Sequence, residues 1–247
     1  MIKRLLIIGA NGQIGSELTL AFRKIYGNEN VIATDLTPAF KAEIAENGPT
    51  DQLDVLDRKK LEMLIDKYQV DAIIHLAAIL SAAGEQNPYL AWNVNMNGTM
   101  NVLEVAREKG IKRIFIPSSI AVFGPTSPFS NTPQHTILQP TTMYGLTKVA
   151  GELLGWYYLQ RYGMDVRGLR YPGIISNDTL PGGGTTDYAV AIYYDAVKYG
   201  KFECFLKEDT MLPMMYMPDC LKATTDFFQA DFSKLTHHTD YNVESFS

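Results

Sequence analysis

Only two cysteines, Cys204 and Cys220, stand in 247 residues. Two thiols cannot build a disulfide framework or a cysteine-rich zinc site. The four histidines (His75, His135, His237, His238) show no ligand spacing with them, so no metal is expected. Such sparing use of cysteine makes a reduced compartment the default. An excess of positive charge is also missing: 22 Lys and Arg face 27 Asp and Glu, a net charge of −5. Neither nucleic acid nor an anionic membrane is therefore an expected partner. No apolar run is long enough to span a bilayer. The first strand pattern begins at Lys3, too early for a targeting leader, so the expected address is cytoplasmic. What remains is 46% hydrophobic and 20% charged, the make-up of an ordinary globule with a sizeable core.

Residues 3–8 read as a buried parallel strand. The turn Gly9-Ala10-Asn11-Gly12-Gln13-Ile14-Gly15 follows, then an amphipathic helix over about 12–25. Strand, glycine turn and helix form the context in which a loop holds a pyrophosphate. Missing side chains let the backbone approach, and the helix start offers N–H donors and positive dipole. A second strand over 30–34 ends at Asp35. That is about 20 residues past the last glycine, where an acid binds ribose hydroxyls. An acid there repels a 2′-phosphate, which favours NAD over NADP. A plain strand-end turn residue is the other reading of Asp35.

Further on, Asp54 and Val55 precede a helix to about Lys67 with Asp57 at its N-cap. They stand either beside an adenine or in a solvent-facing loop. A buried strand over 70–76 leads to the small residues Ala77 and Ala78, and then to Ser81, a ligand contact or a loop hydroxyl. A long helix over 88–109 carries Asn93, Asn95 and Asn97. Asparagine is a poor helix-interior residue, so these suggest side-chain bonding duties or an exposed face. The strand over 112–117 ends in Ser118-Ser119, at the carboxyl edge where open α/β sheets bind ligands. Residues 125–141, rich in Pro, Ser and Thr, read as a covering loop.

Tyr144 and Lys148 open the next helix, one turn apart and on one face. A nearby cation favours phenolate, so the pair predicts a tyrosine of lowered pKa, fit for proton transfer. A strand over 165–170 and a turn at 171–174 follow. The run Pro181-Gly182-Gly183-Gly184-Thr185-Thr186-Asp187 is either a ligand loop or a flexible connection to a helix over 188–199. Short strands are expected near 201–206 and 211–217, a helix over 218–229, and a last strand from Tyr241. Strands alternating with helices through residue 170 predict an α/β fold, a doubly wound parallel sheet with right-handed crossovers.

Taken together, these motifs resemble the extended short-chain dehydrogenases/reductases. The carrying pieces are the glycine turn, Asp35, Asp54-Val55, Leu76-Ala77-Ala78, Asn95-x-x-Gly98-Thr99, Ser118-Ser119-x-Ala121-Val122-Phe123-Gly124, Tyr144-x-x-x-Lys148 and Arg170-Tyr171-Pro172-Gly173. The resemblance implies a Rossmann NAD-binding domain over 1–175 and a small C-terminal substrate-binding lobe over 176–247. It implies Ser119, Tyr144 and Lys148 as the catalytic set. Leu76, Ala77, Ala78, Asn95 and Ile174 join the glycine turn, Asp35, Asp54 and Val55 around NAD. Family members usually run longer, which implies that the C-terminal part of the lobe is missing here. A homodimer built on the helices over 88–109 and 144–162 is also implied.

Within that family the chain is similar to the branch that oxidises L-threonine at C3. The specific pieces are Ile79-Leu80-Ser81-Ala82, Arg170-Tyr171-Pro172-Gly173-Ile174-Ile175-Ser176, the loop 181–189 and Met214-Met215-Tyr216-Met217-Pro218-Asp219. This implies that Ser81, Thr185 and Thr186, with Ser119 and Tyr144, hold the amino acid. A nucleotide-sugar epimerase or dehydratase is the alternative enzyme. It would need basic groups for a diphosphate, and between 176 and 217 only Lys198, Lys201 and Lys207 are basic. A non-catalytic NAD-sensing module is the third reading, and the retained Tyr-Lys pair argues against it.

Overall fold

The apolar run Leu5–Ile8 becomes strand β1, every residue of it buried. The computed structural model describes residues 2–176, 178, 182, 184, 186–237 and 239–243. From β1 the chain runs through α1 (Gln13–Tyr26), β2 (Val31–Asp35), α2 (Ala42–Ala45), β3 (Thr50–Gln52), α3 (Arg58–Tyr68) and β4 (Ala72–His75). Next come α4 (Ser81–Gln86), α5 (Pro88–Trp92), a π turn at Asn93–Asn97, α6 (Gly98–Glu108), β5 (Arg113–Phe115) and β6 (Ser118–Ser119). Then follow α7 (Met143–Tyr162), β7 (Asp165–Arg167), β8 (Leu169–Tyr171), β9 (Gly173–Ile175), α8 (Tyr188–Tyr199), β10 (Met214–Tyr216), α9 (Met217–Gln229) and β11 (Tyr241–Asn242).

Six strands form one parallel sheet in the order β3-β2-β1-β4-β5-β7. The order reverses at β1, and β1 and β4 diverge there to opposite sides, the crevice where such sheets bind ligands. Both faces are covered, so the strands carry continuous apolar runs rather than alternation. One core layer joins Leu6, Ile32, Ile73 and Ile114 to α3 and α6. The other joins Leu5, Ile7, Phe22 and Phe115 to α9 through Phe228. Phe228 meets the Phe22 ring edge-on at 5.4 Å. No described helix is long and apolar enough to cross a membrane.

Three expectations need correction. The strand expected over 165–170 breaks at Gly168. A Cβ there would lie 2.1 Å from Asp240 Oδ1 and 2.8 Å from Ile116 O. The chain leaves the main sheet at that point. β7 ends the six-stranded sheet, while β8 pairs with β6 and β11 in a second one. The turn expected at 171–174 is instead the end of β8, a one-residue break at Pro172 and the start of β9, which pairs in parallel with β10. Residues 201–206 form no strand; with no partner edge to bond to, an apolar stretch has no reason to extend as one. The helix expected over 88–109 is continuous but widens into its π turn at the asparagines. π turns collect at functional sites.

Candidate active site

The site is assembled at the carboxyl edges of β1, β2, β4 and β6. Gly9 sits at φ +90°, and a Cβ there would lie 2.7 Å from Ala77 N. At Gly15 a Cβ would lie 2.1 Å from Gly9 O. Only bare backbone fits this end of the cleft. Helix α1 starts at Gly12 with no side-chain cap and no acid in its first turn. Its N–H donors and positive end are open to an anion. The Gln13 Nε2 is buried with no hydrogen-bond partner among the described residues. The Asp35 carboxylate is held beside the turn: Oδ2 accepts the Asn11 N–H at 2.9 Å and Oδ1 accepts the Thr37 N–H at 3.2 Å. An uncapped helix start, a glycine cradle, an orphaned amide and a fixed acid fit a dinucleotide, with the pyrophosphate at α1 and a ribose at Asp35.

A cleft of about 500 Å³ runs from this turn to β9 and the loop before α8. Ser119, Tyr144 and Lys148 share its floor. Thr142 caps α7, accepting the Gly145 N–H at 3.0 Å, and so fixes the turn that carries Tyr144. Glu85 on α4 accepts the Met143 N–H at 2.7 Å, which ties the helix beginning at Ser81 to the start of α7. The Ser119 hydroxyl, which accepts the Ala121 N–H at 3.2 Å, lies near enough to the Tyr144 phenol to favour its ionised form. Lys148 Nζ lies 5.4 Å from the centre of the Tyr144 ring and donates to Pro117 O at 2.7 Å.

The electrostatics differ from the expectation of a lowered tyrosine. Burial pushes the Tyr144 phenol up to about 12, with the Ser119 hydroxyl acting in the opposite sense. Burial also pulls Lys148 down to about 8. Desolvation penalises whichever form is charged, and here it outweighs the Tyr-Lys proximity that the sequence spacing suggested.

Of the residues expected around ligands, Gly9, Gly12, Gln13, Ile14, Gly15, Leu76, Ala78, Ser81, Ser119, Tyr144, Lys148, Ile174 and Thr186 line the cleft. Ala10 is buried beneath the turn, and Asn11 braces Asp35. Asp54 accepts its own loop's Leu56 N–H at 2.9 Å. Val55 turns its side chain into the core against Gly98, where a Cβ would meet it at 2.7 Å. Ala77 and Asn95 face a small chamber behind Lys148 rather than the cleft. Asn95 acts as a brace. It accepts the Ile79 N–H at 2.8 Å and donates to Ile79 O at 3.0 Å and to Thr147 Oγ1 at 3.1 Å. Thr185 lies outside the described residues.

Leu80 and Asp187, which belong to motifs read from the sequence, also line the cleft, as do Pro117 and Leu212, which the sequence did not single out as site residues. Pro117 acts through its backbone carbonyl, which leaves no signal in residue type. Among the described residues lining the cleft, Lys148 is the only cation and Asp187 the only acid.

A parallel sheet that reverses order beside a glycine turn, with a serine, tyrosine and lysine on the cleft floor, defines a Rossmann-type dinucleotide-binding protein. The chain belongs to the NAD dependent epimerase/dehydratase family, which residues 5–243 match. NAD is its cofactor. An uncharacterised epimerase/dehydratase of Staphylococcus saprophyticus is 48% identical over 246 residues, spanning 100% of this chain and 77% of that protein. An L-threonine dehydrogenase from Clostridium difficile is 49% identical, with a TM-score of 0.93 over 99% of this chain and 76% of that one. A monomeric L-threonine 3-dehydrogenase from a metagenome is 47% identical, with a TM-score of 0.93 over 98% of this chain and 78% of that one.

Proposed function

We propose that this chain oxidises the 3-hydroxyl of L-threonine to give 2-amino-3-oxobutanoate. The observation that carries the reading is the cleft itself. Ser119 and Tyr144 line it together, and Lys148 is the only cation among the described residues lining it. The similarity to L-threonine dehydrogenases supports the same reading. Bound NAD supplies the hydride acceptor. Tyr144 takes the hydroxyl proton. Ser119 donates a hydrogen bond to the reacting oxygen, and Lys148 favours the phenolate by its charge. In this reading residues 1–175 hold the cofactor and the catalytic trio, and residues 176–247 form the substrate lobe. Ser81, Thr186 and Thr185 hold the amino acid's polar groups. The acid Asp187 carries the charge to meet an ammonium.

A nucleotide-sugar epimerase or dehydratase is the second reading, which the family description favours. It needs cations for a diphosphate, and the described residues lining the cleft offer none beyond Lys148. The deciding experiment supplies NAD+ with L-threonine, L-serine, L-allo-threonine or a nucleotide sugar in turn and follows NADH absorbance. The expected result is a rise with L-threonine and none with the nucleotide sugar. Epimerised sugar without net NADH would replace the proposal with the second reading.

We also propose a homodimer through α5 and α7. Tyr89 is 83% exposed, and Leu90, Trp92, Leu146, Leu153, Trp156 and Tyr157 are exposed as well. Apolar residues on an outward helix face usually meet a partner. Sedimentation should give twice the chain mass, and Trp156→Glu with Leu153→Glu should return it to one. A parent protein that sediments as a monomer, as the metagenomic relative is described, would remove the dimer.

A further inference from the structure

Behind Lys148, next to the cleft, lies a small chamber of about 20 Å³. That is room for one water. Its walls include His75, Ser118, Thr147, Lys148, Glu152 and Asp240. Most of its charge is already matched. Glu152 takes both ends of the Arg170 fork, at 2.8 and 2.7 Å, and the Ser118 hydroxyl at 2.6 Å. Arg170 spends its other nitrogen on Gln134 O and Asn242 Oδ1, each at 3.0 Å. His75 is buried, its Nδ1 has no partner among the described residues, and burial holds its pKa down to about 3, so it is neutral. Lys148 and Asp240 also line the chamber, farther apart than a direct ion pair, and Arg170 is the cation that favours the Asp240 carboxylate. The hydrogen-bond partner of Lys148, Pro117 O, is neutral.

The fold makes room for this carboxylate. Gly168 is the point where a side chain would strike Asp240 Oδ1. Gln134 Nε2 donates to Asp240 O at 2.5 Å, and the Tyr241 N–H donates to Gly168 O at 3.1 Å, pinning the segment on both sides. A buried cation without a counter-charge sheds its proton, and a buried acid without one keeps it.

We infer that Asp240 is the buried counter-ion of Lys148 and, by keeping that ammonium charged, is a positioning residue for the reaction at Tyr144. The effect on turnover rests on the function proposed above; the effect on Lys148 does not. Burial pulls Lys148 down to about 8, and Asp240 stands first, ahead of Glu152, among the groups that resist the fall. Asp240 is itself pushed up to about 7 by burial and by Glu152, with Arg170 acting the other way. Its carboxylate therefore appears as pH rises through neutrality, just before Lys148 starts to lose its proton.

The test is made on NAD-free protein. Lys148 acylation is followed by mass spectrometry against pH, since only the neutral amine reacts. In Asp240→Asn the midpoint should fall by about one pH unit or more, the size expected on losing an adjacent opposite charge. Asp240→Glu should keep it near the parent value. The alkaline limb of the kcat profile should move with it. An unchanged Lys148 midpoint in folded Asp240→Asn overturns the inference. Should that variant not fold, 13C-lysine NMR of the parent decides. A two-step Lys148 titration, the first step near 7, supports the pair; a single step removes it. A moved midpoint in a protein that does not oxidise L-threonine keeps the counter-ion and discards the substrate.

Discussion

Tyr144→Phe is expected to slow NAD-dependent oxidation of L-threonine by about 10²–10⁴-fold, the usual worth of a positioned acid or base. NAD affinity should stay close to that of the parent, because the glycine turn and Asp35 are untouched. The phenol is raised to about 12 by burial, so at neutral pH most molecules carry it protonated. The parent rate should therefore climb as pH rises. The climb should flatten where Lys148 loses its proton, near 8. The phenylalanine variant should lose both the rate and the climb. NADH absorbance read across pH, beside calorimetric NAD binding, checks all of this. A variant that kept the parent rate would move the proton-transfer role to another group.

The cofactor half of this site was legible because its signals are local. A glycine that must bend at Gly9, a helix that must start uncapped at Gly12 and an acid that must end β2 are each properties of a few consecutive residues. Ser119, Tyr144 and Lys148 were legible for the same reason. The direction of the tyrosine shift was not. Spacing places a cation near the phenol, but burial is set by the whole cleft, and burial decided the sign. Asn95, expected at the cofactor, braces Ile79 and Thr147, a duty set by residues far apart in the sequence. The break at Gly168 was also hidden. At that glycine the chain packs against Asp240, more than seventy residues later in the sequence.

Glu152→Ala is expected to destabilise the fold by about 3–5 kcal/mol, the cost of leaving one partner of a buried ion pair alone. Both side chains of the Glu152–Arg170 pair are nearly inaccessible, at 8% and 6%. Removing the carboxylate strands a guanidinium and takes the acceptor from Ser118. Glu152→Gln should cost less, because an amide oxygen still receives the Ser118 hydroxyl and one Arg170 N–H. Replacing both partners, Glu152→Leu with Arg170→Met, should be milder than Glu152→Ala, since no buried charge is then left unpaired. Urea unfolding of the three variants checks that order. A cost for Glu152→Ala no greater than that of the double variant would mean that Arg170 reaches water when its partner is gone. Glu152 stands one turn beyond Lys148 and two beyond Tyr144 on α7. Its bonds run to β6 through Ser118 and to β8 through Arg170. The same contact that stabilises the fold thus sets how far the tyrosine and lysine stand from Ser119. Folded Glu152→Gln should consequently lose turnover more than it loses NAD affinity.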